Sequence, residues 1–204
     1  MIKTQEAAAV QLFLDKVDQV LNSNTLILTF QANFQDLALA KRDVTQFLKA
    51  PDFKDRLFSA ALERGWSNFY YCDNNNNQLK PIPNFRFVKY EFDLEWELLT
   101  RRKGAPYLRL MLMGNDVERI FMSPYQKGLS KEEAVPIVRD FLNTLIDKQQ
   151  YKLLKLDINF AYSIAEIREK RWQTYFCDGI AANTATLLIR EDNCAFLILT
   201  NGTD

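Results

Sequence analysis

The stretch Val88-Lys89-Tyr90-Glu91-Phe92-Asp93-Leu94-Glu95-Trp96-Glu97-Leu98 decides the fold class. Apolar side chains stand at 88, 90, 92, 94, 96 and 98, and charged ones fill the positions between them. A period of two puts alternate side chains on opposite faces of a strand, whereas a helix would scatter the same residues around its circumference. The segment is predicted as a long β-strand with its aromatic face in a core and its acidic face in water. Burying that face contributes about 10 kcal/mol gross, before ordering entropy is subtracted.

Downstream of this strand, Thr100–Pro106 reads as a turn carrying Arg101-Arg102-Lys103-Gly104. Tyr107–Met113 reads as a returning strand with Leu108, Leu110 and Leu112 on one face, and Val117–Met122 as a third strand of a meander. Ser130-Lys131-Glu132-Glu133 matches the S-x-x-E capping box and opens a helix whose face is Val135, Val138, Phe141, Leu142, Leu145 and Ile146. Pro136 is expected to kink that helix or delay its start. A second long alternation runs from Leu154 to Ile164. Ser163–Glu166 then resembles another capping box and predicts a short helix to about Phe176. Thr186–Arg190 and Cys194–Thr200 flank Glu191-Asp192-Asn193 as a hairpin, and Ala195–Leu199 is apolar on both faces, as in an inner strand.

Upstream, the reading is mostly helical. Residues 5–22 carry one apolar face and end at Asn22-Ser23-Asn24, and Thr25–Phe30 is a short strand. Leu37, Ala40, Val44, Phe47 and Leu48 keep helical spacing up to the break at Pro51, and a third helix begins near Phe53. Trp66–Cys72 is strand-like. The run Asp73-Asn74-Asn75-Asn76-Asn77 offers no apolar group to bury, so residues 73–84 are read as an exposed loop inside one domain spanning 1–204. A domain boundary at that loop is the disfavoured alternative. These elements together predict an α+β fold: an antiparallel meander sheet of long amphipathic strands packed against helices, with a helix-rich first third.

Function classes are bounded mainly by what is missing. The chain has no histidine, which excludes Ser-His-Asp and Cys-His catalysis and histidine-based zinc sites. Three widely spaced cysteines give neither a CxxC pair nor an all-thiolate zinc site, and they fit a reducing compartment. No phosphate-cradling glycine motif is present. Twenty-six basic residues balance 26 acidic ones, so no general field draws in nucleic acid or anionic lipid. No apolar run approaches a membrane span, and the first residues are not expected to be a signal sequence, since they lack its apolar stretch and small-residue cleavage site. The expected location is the cytoplasm, and no cofactor is expected.

Four candidate sites follow. Glu91, Asp93, Glu95 and Glu97 lie along one strand face about 7 Å apart, where a neighbouring strand could complete a divalent-cation site. Their repulsion in water is only about 0.6 kcal/mol per pair, so a solvated face is the favoured reading, especially beside an outward Arg109 or Arg119. Arg101, Arg102 and Lys103, together with Trp172 in its basic neighbourhood, could hold phosphates and stack on a base. Asp157 with Glu166-Ile167-Arg168 mimics a nuclease pattern, but the latter segment reads as helix where that chemistry needs a strand. Trp66, Phe69, Tyr70 and Tyr71 could line an aromatic cavity. The leading expectation is a non-catalytic protein-interaction or accessory module whose partner is another protein. The alternative is a metal-dependent phosphoesterase or nucleic-acid-processing enzyme using carboxylates. The third is a small-molecule carrier with an aromatic cavity.

Overall fold

A computed structural model describes residues 7–64, 70–73, 78–81, 85–99, 101–114, 123, 128–167, 170–176 and 184–202. Five helices and eight strands succeed one another as α1 (Ala8–Leu21), β1 (Ser23–Gln31), α2 (Leu37–Lys49), α3 (Phe53–Glu63), β2 (Tyr70–Asp73), β3 (Gln78–Pro81), β4 (Phe85–Leu99), α4 (Arg101–Met113), α5 (Lys131–Ile146), β5 (Tyr151–Ile167), β6 (Lys170–Phe176), β7 (Thr184–Arg190) and β8 (Cys194–Gly202). The α+β class and the helix-rich first third are as the sequence predicts.

Local chemistry fixes the helix ends. Asp36 accepts hydrogen bonds from the Ala38 and Leu39 amides and starts α2. The capping box at α5 is complete: Ser130 Oγ accepts from the Glu133 amide at 3.3 Å, and Glu133 Oε2 accepts from the Ser130 amide at 2.8 Å. α5 therefore begins at Lys131, and Pro136 sits inside it without the delayed start expected of it. Asn22 closes α1 in the left-handed region.

The main sheet is antiparallel in the order β1-β8-β7-β5-β4, with β6 pairing the far half of β5. β2 and β3 form a separate hairpin. Helices cover both faces, an uncommon arrangement for an antiparallel sheet. On one face α2 and α3 pack on Leu26, Leu28, Phe30, Leu154, Leu187, Leu197 and Leu199. On the other, α1, α4 and α5 pack on Ile27, Leu99, Leu153, Leu188, Phe196 and Ile198. Stacked rings seat the layers: Phe13 on Phe141, and Phe30 on Phe47, each pair with centroids 4.1 Å apart. β8 lies between β1 and β7 with both faces buried, which is the inner strand its apolar run predicts.

Four expectations are corrected. Residues 101–113, read as a basic turn and a strand, form α4. A Cβ on Gly104 would stand 2.9 Å from Leu153 Cδ2, so the glycine that suggested a turn serves close helix–sheet approach. The burial of Tyr107, Leu108, Met111 and Leu112 follows helical spacing, and Arg109 is helical, not a cross-strand partner. The helix expected from Ser163 to about Phe176 is replaced, at residues 163–167 and 170–176, by the end of β5 and all of β6, with Ser163 opposite Gln173 and Ile164 opposite Trp172. Residues 78–81, placed in the exposed loop, are β3. Leu98, placed in the core, is 43% exposed, whereas Leu99 is buried beneath the α1/α4/α5 layer. The strand expected at 117–122 lies outside the described residues, as do 66–69.

Candidate groove between α4 and α5

The apolar stripe of α5 is wider than the core consumes. Val138 and Leu142 are buried, but Val135, on the same stripe, is 38% exposed. Opposite it, Ala105 and Arg109 stand one turn apart on one face of α4. Between the two helices runs a groove of about 720 Å³ that opens to solvent. Its floor is aliphatic. Tyr151 at the start of β5 and the α5–β5 turn close one end.

That turn is locally strained. Asp147 (φ 47°) and Lys148 (φ 66°) are successive left-handed residues, and neither is glycine. The Asp147 amide donates to Asn143 O at 3.1 Å and the Gln149 amide to Ile146 O at 3.1 Å, which holds the turn tight. A left-handed lysine costs about 1–2 kcal/mol, and such outliers persist where surrounding structure over-determines them.

The groove is basic on a neutral molecule. Among the described residues Arg109, Arg139 and Lys148 line it against one carboxylate, Asp147. Arg139 pairs with exposed Asp140 at 2.9 Å. Arg109 has no acidic partner among the described residues.

A second polar cluster lies at the β1 edge of the sheet. Arg64, at the end of α3, reaches round that edge to α1 on the opposite layer. It meets Asp15 at 2.5 Å and Asp18 at 2.6 Å, and its Nε donates to the Thr25 carbonyl at 3.1 Å. The Arg64 side chain is only 3% exposed. Burial pushes the Asp18 carboxyl up to about 6, against the opposing pull of Thr25, Arg64 and Ser23. A third, smaller cleft of about 490 Å³ is lined by Asn33, Asp43, Gln46 and Asn193. Its polar groups are engaged in holding the chain: Asp43 accepts from the Asn33 amide and Asn193 from the Phe34 amide.

The residues singled out in the sequence do not converge. Glu91 stands opposite Asn159, Glu95 opposite Asp157 and Glu97 opposite Lys155, while Asp93 falls within a break in register. Glu97 is exposed and pairs with Lys103 at 3.7 Å. Arg101, Arg102 and Lys103 form the first turn of α4, beyond the Leu99 end of β4. Trp172 sits across β5 from the Phe85 end, about 45 Å of strand away, so these groups do not form one nucleic-acid site. Asp157 and Glu166 lie on the same strand, about 30 Å apart, too far to share a metal. Among the described residues no three Cys, Asp or Glu side chains gather as a cation site.

No family model, curated protein or solved structure matches the chain.

What the groove can do chemically is bind. It presents an aliphatic floor and flanking cations. Cys194 lies elsewhere, and burial pushes its thiol up, away from the nucleophilic thiolate. Among the described residues no helix is long and apolar enough to cross a membrane. The sequence alone hides this groove, because the alternation of Leu108, Leu110 and Leu112 reads Arg109 as a strand residue. The available signal was Val135 and Arg139 one turn apart on an otherwise buried stripe.

Proposed function

We propose that this protein is a non-catalytic interaction module that holds a segment of another protein between α4 and α5. The observation that carries this reading is the groove: an aliphatic floor ending in exposed Val135, flanked by cations and open along its length. Binding pockets for small molecules bury most of their ligand and are rich in aromatic rings. This groove is open, and among the described residues Tyr151 is the one aromatic residue lining it, which favours a docked segment over a carried small molecule.

A photoreactive residue at Val135, with a control at exposed Leu12 on α1, tests the reading. The expected result is a partner crosslinked from position 135 and not from 12, which then binds the purified chain and loses binding to Val135→Asp. Identical crosslinking from both positions, or turnover of a substrate by the purified chain, sinks it. The carboxylate alternative is checked separately by melting with Mg²⁺ or Mn²⁺. A metal-dependent rise that Glu95→Gln abolishes would replace the interaction reading.

A further inference from the structure

We infer that the segment held in the groove is an amphipathic helix with carboxylates on both flanks of its apolar stripe; this rests on the docking reading above. The walls decide the conformation. Both are α-helices whose backbone groups are turned along the helix axis and, apart from the breaks at Pro106 and Pro136, bonded within it, so neither offers the free strand edge that an extended peptide needs. A segment lying there must satisfy its own backbone, which a helix does. The floor decides the spacing. Val135, Val138 and Leu142 follow one another at three and four residues along α5 and match an aliphatic stripe of the same period.

Charge decides the flanks. Arg109 stands on the α4 wall and Arg139 on the α5 wall, so cations border the floor from both sides. Arg109 lacks an acidic partner among the described residues. Arg139 holds an exposed neighbour, Asp140, which a partner's carboxylate can displace. Among the described residues Arg109, Arg139 and Lys148 outnumber Asp147 in the groove and Asp140 beside it, a local positive balance that the whole chain lacks. Among the described residues one aromatic ring, Tyr151 at the closed end, faces the groove, which is too little for a run of stacked bases, so the complementary occupant is an acidic helix.

The test uses the full chain and labelled peptides as long as α5, read by fluorescence anisotropy. One carries leucines at the floor's spacing with flanking glutamates, a second replaces those glutamates by lysines, and a third scrambles the first. The acidic peptide is expected to bind about tenfold or more tighter than the other two, and to weaken as salt rises. Arg109→Glu with Arg139→Glu should reverse the preference between the acidic and lysine peptides, while Arg42→Glu on α2 leaves it unchanged. If the double variant loses its native circular dichroism, the single Arg139→Glu, at an exposed side chain, must still weaken the acidic peptide by about threefold or more. Equal binding of acidic and lysine peptides overturns the acidic helix but leaves the docking reading, provided Val135 still crosslinks. Tighter binding of a single-stranded RNA oligonucleotide, lost in the double variant, also overturns it. Absence of both peptide binding and Val135 crosslinking overturns both.

Discussion

Asp18 and Thr186 show how single polar groups are carried beneath the α1/α4/α5 layer. The folded-state pKa of Asp18, about 6, lies above its ordinary 3.8, so the folded protein binds this proton more tightly than the unfolded chain. The contribution is therefore most favourable at low pH and declines as pH rises through the folded value, by up to about 3 kcal/mol. Asp192 acts the other way, since Arg190 holds its carboxyl below the usual range and its contribution is lost on acidification. A single pH curve mixes the two. Comparing the wild type with Asp18→Asn isolates the first: between pH 7 and 4.5 their stability difference should move steadily in favour of wild type by urea denaturation. A flat difference would refute the assignment. The hydroxyl of Thr186 is fully buried in β7 with no hydrogen-bond partner among the described residues. Thr186→Val keeps the shape and removes the orphan, so it should raise stability by about 1 kcal/mol. Neither group was legible in the sequence. Asp18 owes its raised pKa to burial, and the guanidinium that opposes the shift comes from Arg64, 46 residues away on the opposite layer; a threonine in a strand likewise gives no sign of what covers it.

At the scale of elements, α3 protects an edge. β1 ends the sheet, and its outward carbonyls at Thr25 and Thr29 accept hydrogen bonds from Arg64 and Arg56. Guanidinium groups thus occupy positions where another chain could pair. Arg64→Ala should cost about 3–5 kcal/mol near neutral pH because it leaves Asp18 buried and unpaired. The loss should shrink near pH 5, where Asp18 takes up a proton; equal losses at both pH values would show that the clamp acts through packing alone. Loss of the α5 cap in Ser130→Ala should cost about 1 kcal/mol in the same assay. That cap was legible because its signals lie within four residues. α4 was not: Arg-Arg-Lys-Gly-Ala-Pro has turn composition, and Leu108, Leu110 and Leu112 satisfy a period of two. Only the approach of Gly104 to Leu153 and the burial of Tyr107, Leu108, Met111 and Leu112 select the helix. The reverse error at Ser163–Glu166 has the same origin. A capping pattern held in four residues yields to pairing with β4 on one side and β6 on the other.

The whole molecule places its most protected strand last in the chain. β8 pairs β1 and β7 and carries helices above and below, so its amides have no route to solvent short of global opening. The run Ala195–Leu199 announced an inner strand, because side chains apolar at both parities leave no face for water. It could not announce which helices cover each face, since that depends on chain reversals at 32–36, 50–52 and 147–150, whose geometry the apolar pattern does not encode. A paired substitution tests the arrangement. Leu197→Ala and Leu98→Ala delete the same atoms from two strands of one sheet. Leu197 is fully buried between layers and should cost about 3 kcal/mol, whereas Leu98, 43% exposed at the β4 edge, should cost under about 1 kcal/mol. Native-state hydrogen exchange should separate them too, with Leu197→Ala lowering the protection of β1, β7 and β8 amides together. Equal costs would place Leu98 in the core, as the strict alternation of Val88–Leu98 predicts, and would refute the register that turns Leu99 inward instead.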